Sequence, residues 1–208
     1  MKKLALTFFL TCLLVVALTA CGENGMKDPR DGKTYKTVKI GNQTWMAENL
    51  NYKTEYSHCY KDEEANCAKY GRLYVWFDAM KACPSGWHLP SKEEFNMLHK
   101  AAGEVRINGK KRVLHDSGMR LKSTSGWKKN GNGDDTYSFS VLPAGFMRID
   151  LDDESASFLK KGSYAYFWTS TEYSEFCANY IFFSYKSAEM TLAHFSKFDG
   201  FSVRCLKD

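Results

Sequence analysis

The stretch from Cys83 to Ala102 constrains the fold more than any other part of this 208-residue chain. It reads Cys83-Pro-Ser-Gly-Trp-His-Leu-Pro-Ser-Lys-Glu-Glu-Phe and runs on to Ala102. Ser91 and Glu94 have the spacing of a capping box: the Ser91 hydroxyl caps the amide three residues on, and the Glu94 carboxylate reaches back to the amide of Ser91. Pro90 holds the residue before it extended, so the chain enters this helix from a strand-like segment. Phe95, Leu98 and Ala102 share one face, and Gly103 is the expected stop. Trp87 and His88 are read as core packing and turn structure, because a lone His beside a Trp brings no second ligand or nucleophile.

Around this stretch the pattern alternates between strands and turns. Tyr35 to Ile40 and Gln43 to Met46 form a hairpin across the two-residue turn Gly41-Asn42. Glu48 and Asn49 are expected to cap backbone at the strand end. Tyr52 to Asn66 reads as a polar loop. Leu73 to Trp76 suits a strand and Phe77 to Cys83 a helix, with Phe77, Met80 and either Ala79 or Cys83 on its buried side. One helix over Leu73 to Ala82 is the alternative. Pro84 ends it in either case. Further strands are expected over Tyr137–Phe146, Tyr164–Thr171, Asn179–Tyr185 and Phe201–Leu206. Tyr164–Thr171 carries apolar residues on both faces, which suggests a central strand. In Phe201–Leu206, Phe201, Val203 and Cys205 share one face and Arg204 is turned away.

The N-terminus reads as an export signal. Lys2 and Lys3 precede an apolar run from Leu4 to Leu18, too short for a comfortable membrane span. It ends Leu18-Thr19-Ala20-Cys21, small residues before a Cys, which resembles a bacterial lipobox. That resemblance implies a lipoprotein signal peptide over residues 1–20, acylation at Cys21 and a short lipidated tether over residues 21–27. An ordinary signal peptide cleaved after Ala20 is the alternative. Several acyl chains anchor stably where one does not, so the expected protein is exported and held on a membrane without spanning it. The residue after Cys21 is Gly22 rather than Asp, which favours the outer membrane or cell surface.

Without Lys2 and Lys3, 27 of the 29 basic residues remain against 24 acidic ones, a net of +3. That is too small and too scattered for a nucleic-acid partner. Cys59 and Cys67, with seven residues between them, read as a local disulfide in an exported chain rather than a metal site. His58 beside them lacks the companion spacing that zinc requires.

The segment Asn130-Gly-Asn-Gly-Asp-Asp135 places oxygen-bearing side chains at Asn130, Asn132 and Asp134, with Asp135 following. It lacks the glycine and glutamate of an EF-hand loop. Such strings are ordinarily turns, with structural calcium as the alternative. No other cofactor is expected. Asp150, Asp152, Asp153 and Glu154 read as a solvated acidic run. Trp127, just before the oxygen-rich string, is a candidate stacking platform for a sugar ring.

Cys83, Gly86, Leu89, Ser91, Glu94 and Leu98 resemble the first-cysteine segment of C-type-lectin-like domains. A closer resemblance is to the Fibrobacter succinogenes major paralogous domain. Its hallmarks stand here as Asp31 to Tyr35, Gln43 to Leu50, Cys67 to Tyr74, Cys83 to Pro90, Leu142 to Phe146, Trp168 to Glu172 and Gly200 to Asp208. The resemblance covers nearly all of the mature chain. It implies one disulfide-tied C-type-lectin-like domain over residues 28–208, of α+β class, mostly antiparallel strands with two helices. In that framework Cys83 pairs with Cys205. Cys177 is left over and is expected to be buried beside Phe176, Tyr180 and Ile181. The lectin triplets that hold calcium and sugar together do not occur here, and the resemblance carries no defined activity.

Three function classes follow. The first is a non-catalytic, membrane-anchored binding module. Its partner would be a polysaccharide or an envelope protein, met through Trp127, Asn130, Asn132, Asp134 and Asp135. The second is a structural or assembly component of the envelope. The third is an oxidase similar to the formylglycine-generating enzymes, which share a Leu-Pro segment before a Glu-bearing helix and a Gly-Phe-x-x-Arg ending. That chemistry needs a pair of free thiols, and Cys177 alone cannot supply one. No Ser-His-Asp or Cys-His pattern appears, so the expectation is a non-enzyme.

Overall fold

The computed structural model describes residues 25–107, 110–153 and 155–208. The leader and Cys21 therefore lie outside the described residues. The chain opens with β1 (Gly25–Lys27), β2 (Thr34–Ile40) and β3 (Gln43–Met46). Positive φ at Gly41 alone joins β2 to β3 in the manner of a II′ turn. β1 pairs with β2, so the last three residues of the expected tether are already part of a sheet.

Next come β4 (Ser57–His58), a short 3-10 turn, α1 (Glu64–Tyr70), β5 (Leu73–Tyr74), α2 (Trp76–Ala82) and β6 (Trp87–His88). α1 corrects the expected loop over 52–66 and is one of two helices beyond the expected pair. Its short polar sequence carries no periodic apolar stripe; the Cys59–Cys67 disulfide and Gly71 hold it instead. α2 begins at Trp76, one residue earlier than expected. Its buried face is therefore Trp76, Ala79 and Ala82, while Phe77 and Met80 are exposed.

α3 (Lys92–Gly103) is the capped helix, and both halves of its capping box are formed. Phe95, Leu98 and Ala102 are buried as the spacing predicts. Gly103 is the last helical residue rather than the stop. Glu104 turns extended and leads into β7 (Glu104–Ile107), which pairs with β8 (Lys110–Val113). α4 (Ser117–Leu121) is the second extra helix, at five residues too short to show a period.

The expected strand at 137–146 does not form. Ser138 and Ser140 have positive φ, and the chain there is irregular until β9 (Phe146–Ile149). β9 pairs with β10 (Ala156–Leu159) across the acidic run. In that turn Asp150 accepts from the Asp152 amide and Asp153 from the Ser155 amide; Glu154 lies outside the described residues.

β11 (Tyr164–Glu172), β12 (Cys177–Ser184) and β13 (Met190–Ser196) form an antiparallel sheet with β12 in the middle. β11 is buried on both faces although it is not the middle strand. Its free edge is covered through bridges at Gly145 and Ser202. β14 (Leu206–Lys207) enters the first sheet between β3 and β6, in the order β1-β2-β3-β14-β6. All pairings of these strands are antiparallel.

Period-two alternation along these strands builds two cores. One gathers Tyr35, Met46, Trp168, Tyr180, Phe201, Val203 and Cys205. The other gathers Ile40, Trp45, Phe95, Phe139, Phe167, Phe183 and Leu206. Adjacent residues such as Phe167 and Trp168, or Cys205 and Leu206, face opposite cores. The Cys83–Cys205 disulfide ties the end of α2 to the last segment of the chain. The molecule is thus α+β, mostly antiparallel, with four α-helices and two disulfides among the described residues.

Candidate binding cleft

Three cavities of the molecule differ in what lines them. The most polar is a cleft of about 480 Å³ between the strand end at 47–49, the last turn of α1, the 123–125 turn and the irregular 135–142 segment. Lys33, Lys36 and Lys69 line it, with Glu48, Asn49, Asp135, Ser138, Ser140 and Arg204.

Gly71 sets how closely α1 approaches its floor. It caps α1 at φ 72°, and a Cβ there would stand 2.6 Å from the Asn49 Cβ and 2.8 Å from the Leu50 carbonyl. Only glycine fits both demands. Asn49 is buried and spends its amide on the Tyr70 carbonyl and the Ser202 hydroxyl. Its Oδ1 accepts from Arg204 Nε at 2.9 Å.

Arg204 is 1 % exposed. Its Nη1 donates to the Phe139 carbonyl and its Nη2 to the Ser140 carbonyl at 2.8 Å. Its guanidinium lies 4.4 Å from the Phe139 ring centre and 5.5 Å from that of Phe167. Burial pushes its pKa down to about 9, and the charges of Asp135 and Glu48 act against that. It therefore stays a cation at neutral pH. The alternation in sequence turns Arg204 away from the first core, which is right, but away from that core is not toward solvent. Leu206 shares its face and is apolar, so this side of the segment also meets packed protein. That neighbour was the available signal.

The two carboxylates of the cleft already have local duties. Glu48 accepts from the Lys36 amide at 2.7 Å, a backbone cap as expected. Asp135 accepts from the Ser140 amide at 2.7 Å and from its hydroxyl at 2.5 Å.

Of the five residues proposed from sequence as a binding set, only Asp135 reaches this cleft. Trp127 requires a correction. It is 5 % exposed, packed in the second core, with Nε1 donating to the Ser123 hydroxyl and the Val141 carbonyl. A buried indole has no free face for a sugar ring. Asn130 is exposed at positive φ. Asn132 accepts from the Trp127 amide, and Asp134 from the Thr136 amide and hydroxyl. These are bonds within the loop, of the kind Asn and Asp side chains make in turns. Among the described residues, one group of His, Cys, Asp or Glu has three ligand atoms close together: Cys59, Glu64 and Cys67. Both of its sulfurs are committed to the disulfide.

A second cavity, of about 740 Å³, is more apolar. Tyr56, Phe77 and Phe198 line it and are exposed, with Val75, Met147 and Ile149 beneath and Asp78, His58 and Lys81 around it. The third is a shallow hollow where half-buried Cys177 meets Arg148, His194 and Asp199. Cys177 is therefore less enclosed than expected. Burial pushes the Asp199 pKa up to about 6, against a hydrogen bond from the Ile149 amide and the charge of Arg148.

No helix among the described residues is long and apolar enough to cross a membrane. No curated protein and no solved structure matches the chain. The family model for the Fibrobacter succinogenes major domain matches residues 38–207, a span that includes both disulfides, the capped helix and nearly every residue lining the polar cleft. This chain belongs to the Fibrobacter succinogenes major domain family.

Proposed function

We propose that this protein is a membrane-anchored, exported lipoprotein whose C-type-lectin-like domain is a non-catalytic binding module for carbohydrate. The observation that carries the reading is the polar cleft itself. Its floor is held together by hydrogen bonds of Asn49 and Arg204 and by the close approach of Gly71 to Asn49. Its rim bears three hydroxyls, those of Thr124, Ser125 and Ser138, which make no hydrogen bond within the described protein. Pre-formed polar clefts of this size suit a small ligand or one unit of a polymer. No histidine or cysteine thiol in the cleft is placed to act as base or nucleophile: Cys67 is bonded to Cys59. The Cys83–Cys205 tie followed by the capped α3 supports the lectin-like comparison. The lipobox-like sequence ending at Cys21 supports the anchor.

The test is retention of the full-length chain, purified in detergent, on immobilised neutral and acidic polysaccharides. Saturable retention, competed by the same polymer in solution, is expected. A folded, disulfide-intact sample retained by none of them would refute the reading.

A second reading, an assembly component of the envelope, is favoured by the exposed Tyr56, Phe77 and Phe198 around an apolar cavity. On that reading the chain shows no glycan retention but co-fractionates with envelope complexes, and a Phe77→Glu variant stays folded and loses that co-fractionation.

A further inference from the structure

We infer that the polar cleft selects an acidic saccharide, with the carboxylate of a uronic acid unit met by the exposed lysines at the rim and drawn further by the charge of Arg204 buried beneath them. The inference rests on the binding-module reading and narrows it to a ligand class.

Charge is the first argument. Lys33, Lys36, Lys69 and Arg204 stand against Glu48 and Asp135 in the lining, an excess of two positive charges. Among the described residues, none of these four cations forms an ion pair with a carboxylate. Glu48 and Asp135 are instead held by backbone amides and a hydroxyl. A cation taken fully out of water ordinarily needs a paired counter-charge. Arg204 has neutral hydrogen-bond partners only.

Donor arithmetic is the second. A guanidinium carries five N–H donors. Arg204 spends three of them, one each on Asn49, Phe139 and Ser140. One donor on each terminal nitrogen is left without an acceptor among the described residues. Arg204 is almost wholly enclosed, so these left-over donors mark a positive charge beneath the cleft that the protein pairs with no carboxylate, and that charge draws an anion to the lining above it.

The third argument is what the cleft lacks. Its lining contains no aromatic side chain. A neutral sugar or a nucleobase would find no ring to stack on, so affinity must come from charge and hydroxyl contacts. The rim hydroxyls of Thr124, Ser125 and Ser138 meet a hydroxylated ligand; Lys36 and Lys69, both exposed, meet its charge.

The test is affinity electrophoresis of the full-length chain in detergent, through gels holding sodium polygalacturonate, dextran sulfate or dextran. Polygalacturonate is expected to retard the protein most, and added salt to weaken the effect. The Lys36→Glu/Lys69→Glu variant should lose about tenfold or more in apparent affinity. Lys100→Glu/Lys207→Glu, which reverses two exposed lysines outside the cleft, should leave it unchanged. Equal loss in both variants would overturn the inference, because net charge alone would then explain retention. Stronger retardation by dextran sulfate would overturn the carboxylate assignment. Equal retardation by dextran, unaffected by charge reversal, would overturn the inference and leave the binding-module reading standing. No retardation by any polymer would overturn both.

Discussion

Only three residues separate Arg204 from Asp208 in the chain, yet the two ends of this segment treat charge in opposite ways. At Asp208 the charges close on one another. His88 Nδ1 lies 2.6 Å from the Asp208 carboxylate and Nε2 lies 3.0 Å from that of Glu94. Glu94 also receives the Ser91 amide and hydroxyl. This clasp joins β6, the start of α3 and the C-terminus beside the Cys83–Cys205 disulfide, and every ring nitrogen and cap is used. At Arg204 the guanidinium is enclosed by neutral acceptors and keeps donors to spare. A network built to hold the fold satisfies itself; a buried cation with no paired carboxylate beneath a polar cleft leaves a charge that an anion could answer. The clasp therefore reads as structure, and the Arg204 cleft is the site that the proposed binding role assigns to function.

The largest effect should come from the clasp side. Removing the Cys83–Cys205 bond with paired Ser substitutions frees a separation of 122 residues. It should cost about 4–5 kcal/mol in the chain-entropy account, measured by denaturant unfolding. A loss under about 1 kcal/mol would mean that the clasp holds the C-terminal segment without the bond. On the cleft side, Trp127→Ala should cost about 3–5 kcal/mol, as for other large buried aromatics. Glycan retention should persist in whatever fraction stays folded. Loss of retention at full stability would return Trp127 to the binding surface.

Gly71→Ala should come next, at about 1–3 kcal/mol for a strained backbone site. Because the added Cβ meets Asn49 and the Leu50 carbonyl, it should also weaken polygalacturonate retention. A variant of normal affinity would show that the cleft floor tolerates movement.

The smallest effect is a pH dependence. Burial alone would lower the His88 pKa, but hydrogen bonds from its ring to Asp208 and Glu94 raise it. A histidine raised on folding contributes stability that is fully present below its ordinary value near 6.5 and is lost as pH rises through the higher folded value. Unfolding curves of the native chain should thus show stability falling as pH rises through that window, and His88→Gln should flatten the fall. The exposure of the pair keeps the effect modest. An unchanged slope in His88→Gln would place the titration elsewhere.

The clasp side is far more legible in sequence than the cleft. Ser91, Glu94, Pro84 and Pro90 act through the neighbouring backbone, and Phe95, Leu98 and Ala102 repeat at helical spacing, so α3 follows from local sequence alone. The hairpin at Gly41-Asn42 is equally local. The cleft is assembled from six separate segments, and none of its side chains announces the others. Lys33, Lys36 and Lys69 look like ordinary surface lysines, and Asn49 like a simple cap. Residues 137–146 look like a strand because Phe139 and Val141 alternate. The alternation is real, but positive φ at Ser138 and Ser140 breaks the ladder. Trp127 and the oxygen-rich string mislead for the same reason: polarity marks a turn and an aromatic marks either core or surface, and only tertiary contacts decide which. His88 gives no hint of its partner Asp208, because it lies 120 residues away.

The central claim, that ligand enters at the Arg204 cleft, is tested most directly by hydrogen exchange of the full-length chain with and without sodium polygalacturonate. The account predicts slowed exchange confined to residues 33–36, 47–49, 67–71, 123–125 and 135–142, with the segments around Tyr56, Phe77 and Phe198 unchanged. Protection centred on those aromatic segments, with the cleft unaltered, would contradict it.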